Sequence, residues 1–251
     1  MKTESEKLLW VVLGPCGSTN DVAFAYLDTY ERVGVFSAEQ QSGRGSKGRS
    51  WLSPRHTGIA LSVGFLQSAW QEHIPHPLHF NYPLFAGWYV CDWLSRHFPN
   101  TPFRVKWPND IWVDGKKLGG ILCESRMVSS QLKLVIGIGI NLKKHNAYES
   151  LNRPLTFLED FGPVHSPKEI AYQMGEGIPE SIAQFKTTRD FLPLWEHYSV
   201  LAPGQSIAFE TDGEKVQGTY EGLDVDGKLR VQTPSGARLI SQACDEFKLL
   251  I

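Results

Sequence analysis

The sequence contains little cysteine, and its cysteines are scattered. Among 251 residues there are four, with no C-x-x-C pair and no spacing typical of a zinc site. This pattern excludes a disulfide framework and a cysteine-based metal motif. We therefore expect reduced, mostly buried thiols in a cytoplasmic protein. The four residues are Cys16, Cys91, Cys123 and Cys244.

The chain also lacks an excess of one charge and a long apolar run. Its formal net charge is −2 and its pI is about 6.4, so no overall attraction to nucleic acid is expected and no DNA partner is predicted. The apolar run from Leu8 to Leu13 is short for a signal segment and follows Glu4 and Glu6. It predicts a buried strand, and no membrane partner is expected.

A basic, glycine-rich loop is the first positive signal. Residues 43–51 contain three glycines and three cations, directly after the strand-like run 34–38. Glycine allows close backbone approach to a ligand, and Arg or Lys adds charge, so the loop predicts a phosphate or carboxylate site. A flexible, solvated basic loop is the alternative.

Two nucleotide-binding templates fit this loop on spacing alone. It satisfies G-x-G-x-x-G and nearly satisfies a Walker A loop, with Arg49 in place of the lysine. Both templates require a helix immediately afterwards. Pro54, Gly58 and a strand-like run follow instead, which excludes both.

A second segment carries motifs that, taken together with the loop, resemble a known family. Residues 104–111 read Arg-Val-Lys-Trp-Pro-Asn-Asp-Ile, and residues 117–124 read Lys-Leu-Gly-Gly-Ile-Leu-Cys-Glu. Together with the loop, Ser18-Thr19-Asn20 and Gly137-Ile138-Gly139-Ile140-Asn141, they resemble biotin–protein ligases in motif, order and separation. The resemblance runs from about Leu8 to the C-terminus. There is no room for a helix-turn-helix ahead of the first strand. The chain is therefore expected to resemble the form of the family that lacks an N-terminal DNA-binding domain.

The expected fold is α+β, a mixed β-sheet with covering helices. The resemblance implies a catalytic domain like that of class II aminoacyl-tRNA synthetases over residues 1–202 and a small SH3-like β-barrel over 203–251. A composition shift at Pro203-Gly204 marks the boundary. The patterns predict strands at 8–14, 35–39, 58–66, 103–106, 117–127, 132–142, 206–210, 215–223, 228–233 and 238–240. They predict helices at 19–30, 77–98, 166–185 and 190–198, with Pro179 breaking or kinking the third.

The resemblance implies a two-step reaction. Biotin would attack the α-phosphate of ATP to give biotinyl-5′-AMP and pyrophosphate, with Mg²⁺ as cofactor. A lysine of the biotin carboxyl carrier domain of a biotin-dependent carboxylase would then attack the mixed anhydride. Because two anions meet in the first step, fixed cations must offset their repulsion.

Site residues follow from the matched motifs. Lys106 corresponds to the family's catalytic lysine, Arg44 and Arg49 to loop cations, and Trp51 to an aromatic near the adenine. The biotin-binding positions implied are Ser18, Thr19, Asn20, Gln40, Arg44, Gly45, Ser46, Lys106 and Gly120. The ATP-binding positions implied are Arg44, Arg49, Trp51, Lys106, Asn109 and Asn141.

Ordinary structural roles stay open beside these. Helix capping is the alternative for residues 18–20, hydrogen bonding at turns or strand ends for Asn109 and Asn141, and core packing for Trp51. Asp110 and Glu124 would act through magnesium or through salt bridges, so the magnesium ligands stay open.

Ser46 departs from the family pattern. Many members have Arg there, and its loss is expected to weaken retention of the adenylate unless Lys47 substitutes.

Two other functions fit parts of the sequence. Lipoate–protein ligases share the fold and the adenylation chemistry, and a non-catalytic biotin sensor or scaffold would need the binding pocket alone. An exposed edge of the strand at 132–142 would also permit a homodimer.

Overall fold

A seven-stranded sheet forms the larger part of the molecule. The chain's structure is a computed structural model that describes residues 7–66, 80–129, 131–164, 166–211, 213–241 and 248–249. The strands are β1 (Leu9–Leu13), β2 (Arg32–Ser37), β3 (Gly58–Leu66), β4 (Arg104–Lys106), β5 (Asp110–Val113), β6 (Lys116–Val128) and β7 (Gln131–Asn141). Their spatial order is β1-β2-β3-β7-β6-β5-β4. Because β1 and β2 are parallel and the other neighbours antiparallel, the sheet is mixed, as predicted.

Helices cover both faces of this sheet. They are α1 (Thr19–Tyr26), α2 (Tyr82–His97), α3 (Pro167–Ile182) and α4 (Thr188–Tyr198). Helices α2, α3 and α4 pack on the main core, whereas α1 packs on a separate cluster that includes Val33, Val35 and Val135. The N-terminus of α1 consequently lies on the opposite face from the large helices.

Several boundaries differ from the prediction. Helix α1 ends at Tyr26, four residues early, because residues 27–29 continue as turns. Strand β5 was missed, since it spans only four residues after the Trp-Pro-Asn turn. Helix α3 runs through Pro179 without a break, with Ile178 and Ile182 fully buried on either side. Residues 77–79 of the helix predicted at 77–98 and Cys244 lie outside the described residues.

The C-terminal region forms a second, antiparallel sheet. Its strands are β8 (Ser206–Thr211), β9 (Glu214–Leu223), β10 (Leu229–Thr233), β11 (Gly236–Ile240) and β12 (Lys248–Leu249), in the order β11-β10-β9-β8-β12. Trp107 Nε1 donates to Gly227 O at 3.0 Å and joins this sheet to the larger one. The small barrel is thus present, and the boundary at 202/203 stays a prediction.

Among the described residues, no helix combines the length and apolar character needed to cross a membrane.

Candidate active site

A cavity opens where the N-terminus of α1, the basic loop and strands β6 and β7 meet. It brings together residues from four chain-distant motifs. Of the predicted site residues, those lining it are Ser18, Thr19, Asn20, Gln40, Arg44, Gly45, Ser46, Arg49, Trp51, Asn109 and Gly120. Their individual roles stay predictions, because position alone does not identify a ligand contact.

One end of the cavity is a buried polar network. Asn20 Nδ2 donates to Glu124 Oε2 at 2.7 Å and to Leu122 O at 3.2 Å. The Ser62 hydroxyl lies 2.6 Å from Asn20 Oδ1 and 2.8 Å from Thr19 Oγ1. Because its members hold one another, this end presents fixed donors and acceptors to a small polar group. Ser62 was missed from sequence, since a serine within an apolar strand carries no motif.

Gln40 extends the network to the loop. Its Oε1 accepts from Thr19 N at 2.8 Å and lies 3.2 Å from Thr19 Oγ1. The side chain of Ser18, although at the N-cap position of α1, makes no capping hydrogen bond. The capping alternative therefore does not account for Ser18.

The floor of the cavity consists of glycines on two strands. A Cβ on Gly139 would lie 2.5 Å from Trp51 Cε2, and one on Gly120 would lie 3.2 Å from Trp51 Cζ3. A Cβ on Gly137 would overlap the side-chain amide of Asn20. The indole of Trp51 lies against the strands only because Gly120 and Gly139 lack side chains.

Lys117 supplies the cation at the opposite end. The residue is 9% exposed, and its Nζ lies 2.5 Å from Asp110 Oδ1 and 5.6 Å from the centroid of Trp51. Burial lowers the pKa of Lys117, and the Asp110 carboxylate acts against that shift. Asp110 is thus engaged in a salt bridge, one of its two predicted alternatives.

A β-bulge brings Lys117 to this face. Ile111 pairs with Gly119 but the next residue, Trp112, pairs with Lys117, so Leu118 is the extra residue of β6. Strict alternation would place Lys117 and Gly120 on opposite faces of the strand. The bulge reverses that parity, which is why the sequence pattern did not identify Lys117.

Two predicted site residues, Lys106 and Asn141, do not line the cavity, and their roles stay predictions. Lys106 pairs across the strands with Asp110, which does line it. Lys106 ends the short strand β4, and its Nζ lies 4.3 Å from the centroid of the Trp112 ring. Asn141 is buried, with Nδ2 3.4 Å from Lys117 O and 3.5 Å from Thr156 O. Asn141 therefore ties strand ends together, the alternative noted from sequence.

The loop cations are fastened by side chains. Arg44 Nη2 lies 3.0 Å from Glu124 Oε2, and Arg44 also pairs with Asp21, whose pKa it lowers. Arg49 donates to Ser46 O at 3.1 Å and to Ser46 Oγ at 2.9 Å. Ser46 thus accepts hydrogen bonds from Arg49, whereas an arginine at position 46 would add a cation.

A further cation, Arg153, also lines the cavity. It lies in the segment between β7 and α3, which the sequence indicated only as a polar loop.

The described ranges contain no group of three or more His, Cys, Asp or Glu residues suited to a metal ion. Asp110 is the single carboxylate lining the cavity in the described part of the chain, and Lys117 occupies it. A resident metal held by the protein alone does not fit this donor set.

Comparisons with known proteins agree on the family. Residues 17–141 match the model of the biotin/lipoate A/B protein ligase family, and residues 204–242 match that of the biotin protein ligase C terminal domain. The biotin--[acetyl-CoA-carboxylase] ligase of Paracoccus denitrificans is 28% identical, with 83% of this chain and 88% of that protein aligned.

Two further relatives show how far the similarity extends along each chain. Biotin protein ligase from Aquifex aeolicus, solved in complex with biotin and ATP, aligns with a TM-score of 0.77 at 27% identity, covering 96% of this chain and 98% of that one. The biotin--protein ligase of Homo sapiens is 29% identical over 80% of this chain, but the matched region spans 28% of the human protein's length.

Proposed function

Because the chain belongs to the biotin/lipoate A/B protein ligase family, we propose that it is an ATP-dependent biotin–protein ligase. It activates biotin to biotinyl-5′-AMP and transfers the biotinyl group to a lysine of a biotin carboxyl carrier domain. One observation carries the proposal: a single cavity joins a buried polar pocket, an aromatic wall and a buried lysine.

The polar pocket binds the ureido ring of biotin. That ring has two N–H donors and one carbonyl acceptor, which match the amide and hydroxyl groups of Ser18, Thr19 and Asn20 that line the cavity. The valerate chain then runs along the glycine floor towards Lys117. This orientation brings the carboxylate to the cationic end.

Lys117 offsets the repulsion between the two reactants. A carboxylate oxygen forms a bond to the α-phosphorus of ATP, and the bond to the bridging oxygen of pyrophosphate breaks. The ammonium of Lys117, fixed by Asp110 in a water-poor site, stabilises the charge that develops on the shared oxygens. Trp51 provides an apolar face for the adenine.

Magnesium would be held by the nucleotide and not by a protein site. Mg²⁺ in phosphoryl-transfer sites is held largely by substrate phosphates and water, so no protein cage is required. Its chemistry is neutralisation of the phosphate charge.

In the second step the amine of a carrier lysine attacks the anhydride carbonyl. The amide bond forms, the bond to the AMP oxygen breaks, and the amine proton leaves to solvent. Lys117 then faces the departing phosphate of AMP, and the loop at residues 43–51 shields the anhydride from water.

The pocket favours biotin over lipoate. The dithiolane ring of lipoate has no N–H or C=O group, so it could not exchange hydrogen bonds with the polar groups of Ser18, Thr19 and Asn20 that line the cavity. A non-catalytic sensor is disfavoured as well, since a protein that only binds biotin has no need of the additional cations Arg49 and Arg153 beside Lys117 in the cavity.

The test is incubation of the chain with ATP, biotin and a purified carrier domain, followed by intact-protein and peptide mass spectrometry. We expect one biotinyl group on one lysine, with pyrophosphate released in equal amount. Lipoate in place of biotin is the matched control. Pyrophosphate release with lipoate but not biotin would reject biotin as the substrate, and its absence with both would reject adenylation.

A further inference from the structure

Arg153 is placed beside Lys117 by backbone pairing. Lys117 N donates to Pro154 O at 3.1 Å, and Thr156 N donates to Lys117 O at 3.0 Å. Lys117 and Leu155 form a parallel bridge between these two bonds. The segment that carries Arg153 is therefore attached to the strand position that carries the buried lysine.

The charge of Arg153 has no counter-ion in the described structure. Its Nε is shielded from solvent and has no hydrogen-bond partner, and no described carboxylate forms an ion pair with it. Arg44 and Lys117, in contrast, each have carboxylate partners. A shielded guanidinium nitrogen without an acceptor is costly unless a ligand supplies one.

Three cations converge on this end of the cavity. The charges of Arg153 and Arg49 both contribute to lowering the pKa of Lys117, after burial. The joining of biotin to the α-phosphate requires one cation at the reacting oxygens, a position that Lys117 occupies. The β- and γ-phosphates carry most of the remaining negative charge of ATP, and a guanidinium can bind such oxygens through two N–H groups.

We propose that Arg153 binds the β- and γ-phosphates of ATP, and then the pyrophosphate that they form. This inference rests on the proposed adenylation of biotin. Arg153 selects the triphosphate and orients the leaving group in line with the attacking carboxylate, while Lys117 acts at the α-phosphate. Arg153 makes no contact with the AMP part that the intermediate retains.

The test compares Arg153→Gln and Arg153→Lys with the unchanged chain. Arg189→Gln, on the exposed start of α4, is the matched control. We expect Arg153→Gln to raise the KM for ATP about 10- to 100-fold while the KM for biotin stays unchanged. Arg153→Lys is expected to recover part of that loss. Binding of inorganic pyrophosphate, measured by calorimetry, should weaken in parallel, whereas binding of AMP should not.

Transfer from synthetic biotinyl-AMP to the carrier separates the outcomes. The rate should be unaffected by Arg153→Gln, because pyrophosphate is absent from that step. A similar loss in AMP binding and in transfer would place Arg153 on the adenylate and overturn the proposal, as would unchanged pyrophosphate binding. If the unchanged chain releases no pyrophosphate with biotin, the proposed function fails, and the calorimetry still decides whether Arg153 binds pyrophosphate.

Discussion

The two walls of the cavity are built differently. The strand wall, formed by β3, β6, β7 and the start of α1, is buried: Ser62, Thr19 and Asn20 are at most 3% exposed. The loop wall at residues 43–51 is held by its own backbone bonds, such as Trp51 N to Gly43 O, and by side-chain bonds such as Arg49 to Ser46, and it is largely accessible. The difference indicates that the strand wall selects the ligand and the loop wall retains it.

The difference extends to the cations. Lys117 belongs to the strand wall, where its position is fixed by the sheet and by Asp110. Arg44 belongs to the loop wall, and its side chain is 35% exposed and compensated by Asp21 and Glu124. Changes to the strand wall should therefore affect chemistry and recognition most, and changes to the loop wall should affect escape of the intermediate.

Removing the strand-wall cation should have the largest effect. We expect Lys117→Ala to slow formation of biotinyl-AMP about 10²- to 10³-fold, because Lys117 is the cation assigned to the reacting oxygens. A rapid-quench measurement of pyrophosphate release gives the rate of this step directly. The matched variant Lys106→Ala removes a lysine outside the cavity and should have a much smaller effect. A larger loss in the Lys106 variant would restore the sequence-based assignment.

The next largest effect is expected from adding a side-chain atom to the strand wall. In Gly137→Ala the new methyl group overlaps the side chain of Asn20, so the ureido pocket must distort. We expect the KM for biotin to rise about tenfold or more, with little change for ATP. Gly14→Ala is the control, since a Cβ there meets no atom within 4 Å. Equal effects on biotin and ATP would indicate a general loss of structure.

A cation added to the loop wall should have a moderate effect on retention. Ser46→Arg removes the acceptor for Arg49 and provides a new charge at the mouth of the cavity. We expect biotinyl-AMP to escape about tenfold more slowly in a quench assay without carrier. Ser46→Gln removes the hydroxyl without adding a charge, so comparing it with Ser46→Arg shows which of the two changes slows escape. An unchanged escape rate in Ser46→Arg would contradict the role given to the loop wall.

The smallest effect should be a shift in pH dependence. Burial places the pKa of Lys117 below its ordinary value, so the ammonium is lost as pH rises through that lowered pKa. Asp110 raises the same pKa, and Asp110→Asn should therefore move the alkaline limb of kcat/KM for biotin to lower pH. A limb that stays in place, or moves to higher pH, would show that Lys117 does not set it.

The sequence predicted the loop wall better than the strand wall. Motif order identified the family, and glycine and cation spacing located the loop, because both features are local. The strands predicted beyond Pro203 depend on a pattern of alternating residues that is likewise local.

Cavity residues were missed where the tertiary structure decides which residues meet. Lys117 was not predicted, because it is the bulge at Leu118 that brings it to the cavity. Arg153 reaches the site only because its loop pairs with Lys117 across a long separation in sequence. Ser62 likewise meets Asn20 through the packing of α1 on the sheet. None of these contacts has a sequence pattern of its own.

A crystal structure of the chain with a non-reactive analogue of biotinyl-AMP tests the central claim most directly. The account predicts that Lys117 Nζ lies within about 3 Å of an oxygen of the phosphate or of the acyl linkage, with the ureido ring at Thr19 and Asn20. Lys106 Nζ in that position, with Lys117 still directed only at Asp110, would contradict it.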